Sequence, residues 1–379
     1  MRYRKEIKTA DKIFHDASQV LQFHLLNPTN ASSVTRQVLS GKVKNPVFKY
    51  ADPHIDLLKM RREVASLNFE DKEIIETVMH EKQMDMIYKI DLLSLVGCFD
   101  FTQVSKKAYP LPDRRLVTKA YGILQEKVPK LPKKKKQYVP DKKMKQLFKK
   151  NFDHFGLKYK IKRADLVNSA NVSGPHQEIT LKKNQRYTRS FLNRLIVHEV
   201  GTHVFRYENA KRHSLKVFGH GVANYITTEE GLAAYNEMRF GLLTPARLRN
   251  YAGRVVAVHK AQTSSFDSTF REMKRFFSEK TALKLTMRAK RGLSHTQVEG
   301  GFTKDAVYMK GYYEVTNYMK RGGTLEDLYV GKIGIKETPY LKELGFMKPK
   351  FMPKKFLLFN EKLEFEERTP ELRGLNSNI

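Results

Sequence analysis

His198-Glu199-Val200-Gly201-Thr202-His203 places two imidazoles and a carboxylate inside one segment, TRSFLNRLIVHEVGTHVFRYENA (188–210), whose apolar residues recur at helical spacing. Thr188 or Ser190 is suited to cap that helix. In the HExxH helix of zinc peptidases the two histidines lie four apart, about 40° from alignment, and share one metal while the intervening Glu holds a water. Here they lie five apart, which on a regular α-helix is about 140°. A shared ion therefore requires a π-type widening of the helix, and Gly201, lacking a Cβ, eases such a distortion. Two histidines do not complete a catalytic zinc site, which uses three protein ligands and an open position. The next helix begins near TTEEGLA (227–233) and offers two adjacent carboxylates, Glu229 and Glu230. Spacing alone leaves an alternative open, in which His198 and His203 are ordinary partly buried histidines and Glu199 is a solvated helix charge.

Composition sets the outer limits. The 379 residues carry 71 Lys+Arg against 40 Asp+Glu, a formal charge of +31. Hydrophobic residues make up 40% and charged ones 29%, which excludes collagen-like and wholly disordered chains. No run approaches the roughly 18 apolar residues of a membrane span. The start MRYRKEIKTADKIF has no secretory apolar run, so a cytoplasmic location is expected. A lone cysteine, Cys98, excludes a Cys-rich zinc module. Such a basic surface attracts nucleic acid phosphates and acidic polypeptide tails by the same field.

The fold expected is α+β and predominantly helical. Residues 1–126 read as a helical region, with helices in DPHIDLLKMRREVASL (52–67) and DKEIIETVMHEKQMDMIYKIDLLSLVG (71–97) capped by Asp52 and Asp71. Between Lys127 and Lys150, 11 lysines face one acid, Asp141, and three prolines interrupt, so 127–150 reads as a basic linker. In 151–340, LKYKIKRADLV (157–167) and HQEITLKK (176–183) read as strands separated by turn-forming NSANVSGP (168–175). Helices follow in 188–210, 227–243, 244–262 and 264–291, and after TKDAVYMKG (303–311). The remainder, 341–379, reads as a basic tail without firm structure.

HEVGTH with Arg206 three residues on, then TEEGLA (228–233), TKDxxYxxG (303–311) and RGG (321–323), resembles the tyrosine/phenylalanine carboxypeptidase family, which contains the microtubule-associated tyrosine carboxypeptidases and the bacterial QEGLA-motif proteins. The resemblance extends from about NPVFKY (45–50) to residue 340. It implies a zincin-like, gluzincin-type catalytic domain holding a zinc ion (Zn2+) on His198, His203 and Glu230, with Glu199 as catalytic base. Glu229 stands where the bacterial pattern has Gln, which implies a place behind the ligands. The stretch YENAKRHSLKVFGHG (207–221) departs from the family, which often has Asn-Gly and Gln-Pro there, so a different cleft loop is expected.

The implied reaction is hydrolysis of the C-terminal peptide bond, with preference for a terminal Tyr or Phe. Removing a terminal residue requires a cation that grips the substrate's carboxylate. Arg206 and Lys304 are candidates, and Tyr308 could stabilise the oxyanion or line the pocket. Each has a plain alternative: a helix ion pair, a solvated lysine, a half-buried tyrosine. The charge of +31 suits an acidic C-terminal tail as substrate. His213, His220, His259 and His295 share no face with His198 and are read as structural. Two other functions compete, a zinc endopeptidase without the grip and a basic nucleic-acid- or ribosome-associated protein with an inactive zincin-like domain. Nucleic acid is the less favoured partner, because no RNA-binding signature interleaves aromatics with the lysine run.

Overall fold

The computed structural model describes residues 3–21, 23–126, 138–164, 166 and 169–359. The architecture is α+β and mostly helical, with two small sheets. In one sheet the central strand Glu178–Lys182 runs parallel to Lys160–Ala164, with Ile161 opposite Ile179, and antiparallel to Ala170–Ser173, with Val172 opposite Ile179. The third strand lies inside the segment read as a turn. There Ala170 is buried and Val172 packs on the core, and this burial overrides the turn propensity of the flanking Asn, Ser and Gly. Tyr138–Val139 pairs with Tyr187–Thr188 in a second, two-stranded sheet.

Helix starts differ from expectation at two places. Asp52 does not cap, because bonds from Ile55 N–H to Pro53 C=O and from Leu57 N–H to Ile55 C=O delay the helix until Leu57–Ala65. Asp56 caps it instead, accepting from Lys59 N–H at 2.8 Å. Asp71 sits at φ 55° ahead of the helix Ile74–Ser94, and its carboxylate contacts His80 Nδ1 at 2.8 Å.

Of the segment read as a basic linker, 127–137 lies outside the described residues, and the remainder departs from that reading. From Asp141 to His154 the chain is a helix that buries Met144, Leu147, Phe148 and Phe152. Their three- and four-residue spacing gives an apolar stripe, and the lysines occupy the remaining surface. The tail expectation is corrected for 341–359 as well. Leu344 and Phe356 are fully buried, and three asparagine side chains hold the backbone: Asn209 binds the N–H of Lys350 and Phe351, Asn151 that of Leu357, and Asn193 that of Phe359. Residues 360–379 lie outside the description.

Position 126 is not a boundary in the packing. Ile7, Phe14, Met79 and Ile90 share a core with Val217, Phe218, Leu293 and Ile333. Val34, Val38, Leu116 and Ile123 share another with Val255, Val256 and Leu285. A third core joins Phe148, Ile179, Ile196, Leu232, Leu328 and Phe356. Among the described residues no helix is long and apolar enough to cross a membrane.

Candidate metal and active site

The helix carrying HEVGTH begins at Thr188, whose hydroxyl accepts from Phe191 N–H at 3.4 Å. It is α-helical over Arg189–His198, π-helical over Glu199–Val204, and α-helical again over Phe205–Ala210. The wider turn replaces i→i+4 bonding by i→i+5, so residues five apart rise on one side. The imidazoles of His198 and His203 accordingly meet with centroids 5.2 Å apart. Gly201 serves packing as well as backbone freedom, since a Cβ there would lie 2.7 Å from Phe356 Cζ. The distorted turn is pinned from outside: Tyr329 OH donates to the Gly201 carbonyl at 2.6 Å, and Asn236 Nδ2 donates to Thr202 Oγ1 at 2.8 Å and to Tyr329 OH at 2.7 Å.

The third group comes from the helix Tyr225–Arg239. That helix crosses Val307–Lys320 with backbone almost touching backbone. A Cβ on Gly231 would lie 2.2 Å from Gly311 C, and one on Gly311 would lie 1.9 Å from Thr227 O. The glycines of EGLA and of TKDxxYxxG are thus the two halves of one crossing. It sets Glu230 and Tyr308 around a common cavity.

His198, His203 and Glu230 each present a ligand atom, and these atoms lie within 4.8 Å of one another. Among the described residues no other such group of His, Cys, Asp or Glu occurs, and His213, His220, His259 and His295 lie outside it. Each histidine is oriented by a carboxylate at Nδ1, His198 by Glu237 and His203 by Glu229, both at 2.8 Å. Because a carboxylate only accepts, Nδ1 carries a proton and Nε2 is the nitrogen left to face the centre, where a metal ion would take the place of a proton. His198 Nε2 lies 3.6 Å from Glu230 Oε2 and His203 Nε2 lies 4.0 Å from Glu199 Oε2. Glu230 Oε2 is buried without a hydrogen-bond partner. A buried carboxylate oxygen in that state is costly unless a cation completes it. An acceptor-only oxygen and two imidazole nitrogens fit a divalent zinc-type ion.

Electrostatics around the cluster favour separated charges. Burial opposes ionisation of Glu230, yet the neighbouring His198, His203 and Lys304 hold its pKa down at about 2. Burial also opposes charging of His198, but Glu230 and Glu237 outweigh it and raise its pKa to about 9. Glu237, despite burial, is held at about 2 by Arg194, Arg247 and His198.

A cavity of about 400 Å³ opens on His198, Glu199, His203 and Glu230 and is also lined by Lys304 and Tyr308. An adjoining chamber of about 840 Å³ shares Lys304, Tyr308, Tyr225 and Ile226 with it and adds Phe23, Leu25, Tyr109 and Phe302. Lys304 is half-buried, and desolvation lowers its pKa against the opposing charge of Glu230. Tyr308 is stacked 5.5 Å from Tyr251 at an interplanar angle of 12°, and burial pushes its hydroxyl pKa up.

Arg206 does not line the cavity. Its side chain is fully buried, and its guanidinium donates to the carbonyls of Leu328 at 2.8 Å and Ile333 at 2.6 Å and to Glu229 Oε2. With those donors engaged it has no room for a substrate carboxylate, which corrects the expectation for this residue. Glu229, held by Arg206, His203 and Lys332, turns its oxygens away from the three-donor centre.

Several residues of the site carried no reading in the sequence. Glu237 lies seven positions after Glu230, hence on the same helix face, and that period was a usable signal. Tyr329 and Asn236 had none, since their roles depend on a contact 93 residues apart. Asp305, inside TKDAVYMKG, proves to be an anchor: both its oxygens accept from Arg288, one at 2.7 Å, and Arg291 lies at 3.5 Å.

The family model described as microtubule-associated tyrosine carboxypeptidase matches residues 38–371. Microtubule-associated tyrosine carboxypeptidase 1 of Homo sapiens is 27% identical over 192 residues, 48% of this chain and 40% of that protein. The same-named protein of Rattus norvegicus is 28% identical over 194 residues, 48% of this chain and 40% of its own length. MATCAP2 of Mus musculus is 28% identical over 227 residues, 56% of this chain and 41% of that protein. The chain thus spans about two fifths of the length of these curated relatives. With the family model running from before NPVFKY to beyond the last described helix, this chain belongs to the microtubule-associated tyrosine carboxypeptidase family.

Proposed function

We propose that this chain is a zinc-dependent carboxypeptidase with a zincin-like catalytic unit, releasing a C-terminal Tyr or Phe from a protein or peptide tail in the cytoplasm. The observation that carries the reading is the convergence of two Nε2 atoms and the unpartnered Glu230 Oε2 on one point beside Glu199. His198, His203 and Glu230 would hold the zinc ion, which would supply Lewis acidity to the scissile carbonyl and to a water molecule. Glu199 lines the cavity and takes the water proton, then passes it to the leaving amine. Glu237 and Glu229 keep the two Nδ1–H groups engaged and so fix which imidazole nitrogen faces inward. The Tyr308 hydroxyl, kept protonated by burial, donates to the carbonyl oxygen as it gains charge, and Lys304 adds a positive charge beside it. The chamber next to them, walled by Phe23, Tyr109, Tyr225 and Phe302 together with the cations Lys89, Arg288 and Arg291, has room for an aromatic side chain. The names of the relatives support tyrosine as the residue removed, and the net charge of +31 supports an acidic tail.

The test is metal analysis together with a peptide pair. The purified chain should contain about one zinc and release free Tyr or Phe from a peptide with an open C-terminus but not from its amidated counterpart. Equal cleavage of both would make it an endopeptidase instead. Glu199→Gln should keep the zinc and lose turnover; an unchanged rate would remove Glu199 from the base role.

A further inference from the structure

The helix Pro245–Ala261, which the sequence marked only as a helix, presents Arg247, Asn250 and Arg254 to the same cavity as His198 and Glu230. These positions are three and four apart and share one helix face. Arg254 differs from the other arginines nearby. Arg194 pairs with Glu237 at 2.8 Å, Arg206 with Glu229, Arg288 and Arg291 with Asp305, and Arg247 approaches Glu237 at 3.7 Å. Arg254 has no carboxylate within ion-pair distance among the described residues, and its Nε and Nη1 are buried without a hydrogen-bond partner. Its guanidinium is nonetheless held in place, 4.1 Å from the centroid of the Tyr308 ring and 5.6 Å from that of Tyr251. The side chain is half-buried, and two shielded guanidinium nitrogens without a partner are an incomplete structure: their desolvation has been incurred and the compensating acceptor is missing. The planar fork matches a carboxylate in a bidentate way, which Lys304 cannot do. Lys304 is also bound up electrostatically with Glu230.

We propose that Arg254, seated on the Tyr308 ring and flanked by Asn250, receives the terminal α-carboxylate of the substrate, and that this contact restricts cleavage to the last residue of a chain. The inference rests on the carboxypeptidase reading for its substrate. Its binding half stands on Arg254 alone.

Fluorescence anisotropy on full-length Glu199→Gln protein reads that half without turnover. The probe is a labelled peptide ending in Tyr, with a free carboxylate or an amide. The free carboxylate should bind at least about tenfold more tightly than the amide. Adding Arg254→Gln should make the two bind equally, and Arg254→Lys, which keeps charge but loses the fork, should recover only part of the difference. Arg254→Lys also serves as the deciding variant should Arg254→Gln fail to fold. Full discrimination surviving in the folded variants overturns the proposal, as does equal binding of acid and amide to Glu199→Gln alone. In the active chain Arg254→Gln should raise KM for the open peptide by roughly tenfold or more with a smaller change in kcat. Release of Tyr with discrimination unaffected by Arg254 leaves the enzyme reading standing and removes this one. No release of Tyr or Phe, with carboxylate binding lost in Arg254→Gln, does the reverse.

Discussion

Two clusters of charge meet at the TKDAVYMKG segment, one around its own Asp305 and one around Glu230, and they are built on opposite plans. Around Asp305, both carboxylate oxygens accept from Arg288 and a second guanidinium, Arg291, stands 3.5 Å away. Around Glu230, one oxygen is buried with no partner, and across the cavity two nitrogens of Arg254 are equally unpaired. A buried charge that is matched by its neighbours holds the fold; one left unmatched stays only where a ligand completes it. That contrast supports reading the first cluster as a support and the second as the proposed place of binding.

The contrast can be broken by exchanging the two behaviours. Glu230→Gln should lower release of Tyr by about a thousandfold or more and abolish the rise in melting temperature on adding zinc, a rise worth about 2.7 kcal/mol when zinc is a hundredfold above its Kd. Calorimetry with and without zinc measures it, and a variant that still responds to zinc would move the ligand role elsewhere. Asp305→Asn should do the converse: it keeps the zinc response but destabilises loaded and unloaded chains alike, by roughly 3–5 kcal/mol, because Arg288 loses its buried counter-charge. Urea titration that finds less than about 1 kcal/mol would show the Asp305 cluster to be dispensable.

Smaller effects sharpen the same comparison. Gly231→Ala forces a Cβ to within 2.2 Å of the Gly311 backbone and should cost about 1–3 kcal/mol, with reduced zinc content because the crossing also positions Glu230. Normal stability and normal zinc would mean that the helices part without consequence. Glu237→Gln should weaken zinc binding about 10- to 100-fold in a competition titration while leaving the ligands themselves intact. The smallest effect concerns pH. Asp305 is held well below the usual 3.8; burial opposes this, but Arg288, Arg254 and Arg291 outweigh it. A depressed carboxylate adds stability that is fully present above its unfolded pKa. The stability gap between wild type and Asp305→Asn should therefore be constant near neutrality and shrink by roughly 1.4 kcal/mol per pH unit below 3.8. A gap that widened on acidification would reverse the assignment of charge.

The site was legible in the sequence where local spacing carries geometry. An offset of five residues between the imidazoles implies a widened turn, and residues 199–204 form one. The helix 141–154 was hidden for a physical reason: its lysines look like a repelling run until the stripe of Met144, Leu147, Phe148 and Phe152 meets a core. The strand 170–173 was hidden because Asn, Ser and Gly mark turns by local preference, while a neighbouring strand supplies the hydrogen bonds that decide otherwise. Arg206 was misplaced because one helical turn after His203 says nothing about which carbonyls surround it.

What the sequence by itself determined is the list of chemical groups and their local phase: two imidazoles on a strained turn, a carboxylate beside one of them, an acidic pair opening the next helix. Those follow from bond geometry and periodicity, which act over a few residues. The tertiary structure alone decided which groups are paired and which are left open. Pairing is a matter of distance in space, and it is the pairing that separates Arg206 from Arg254 and Asp305 from Glu230.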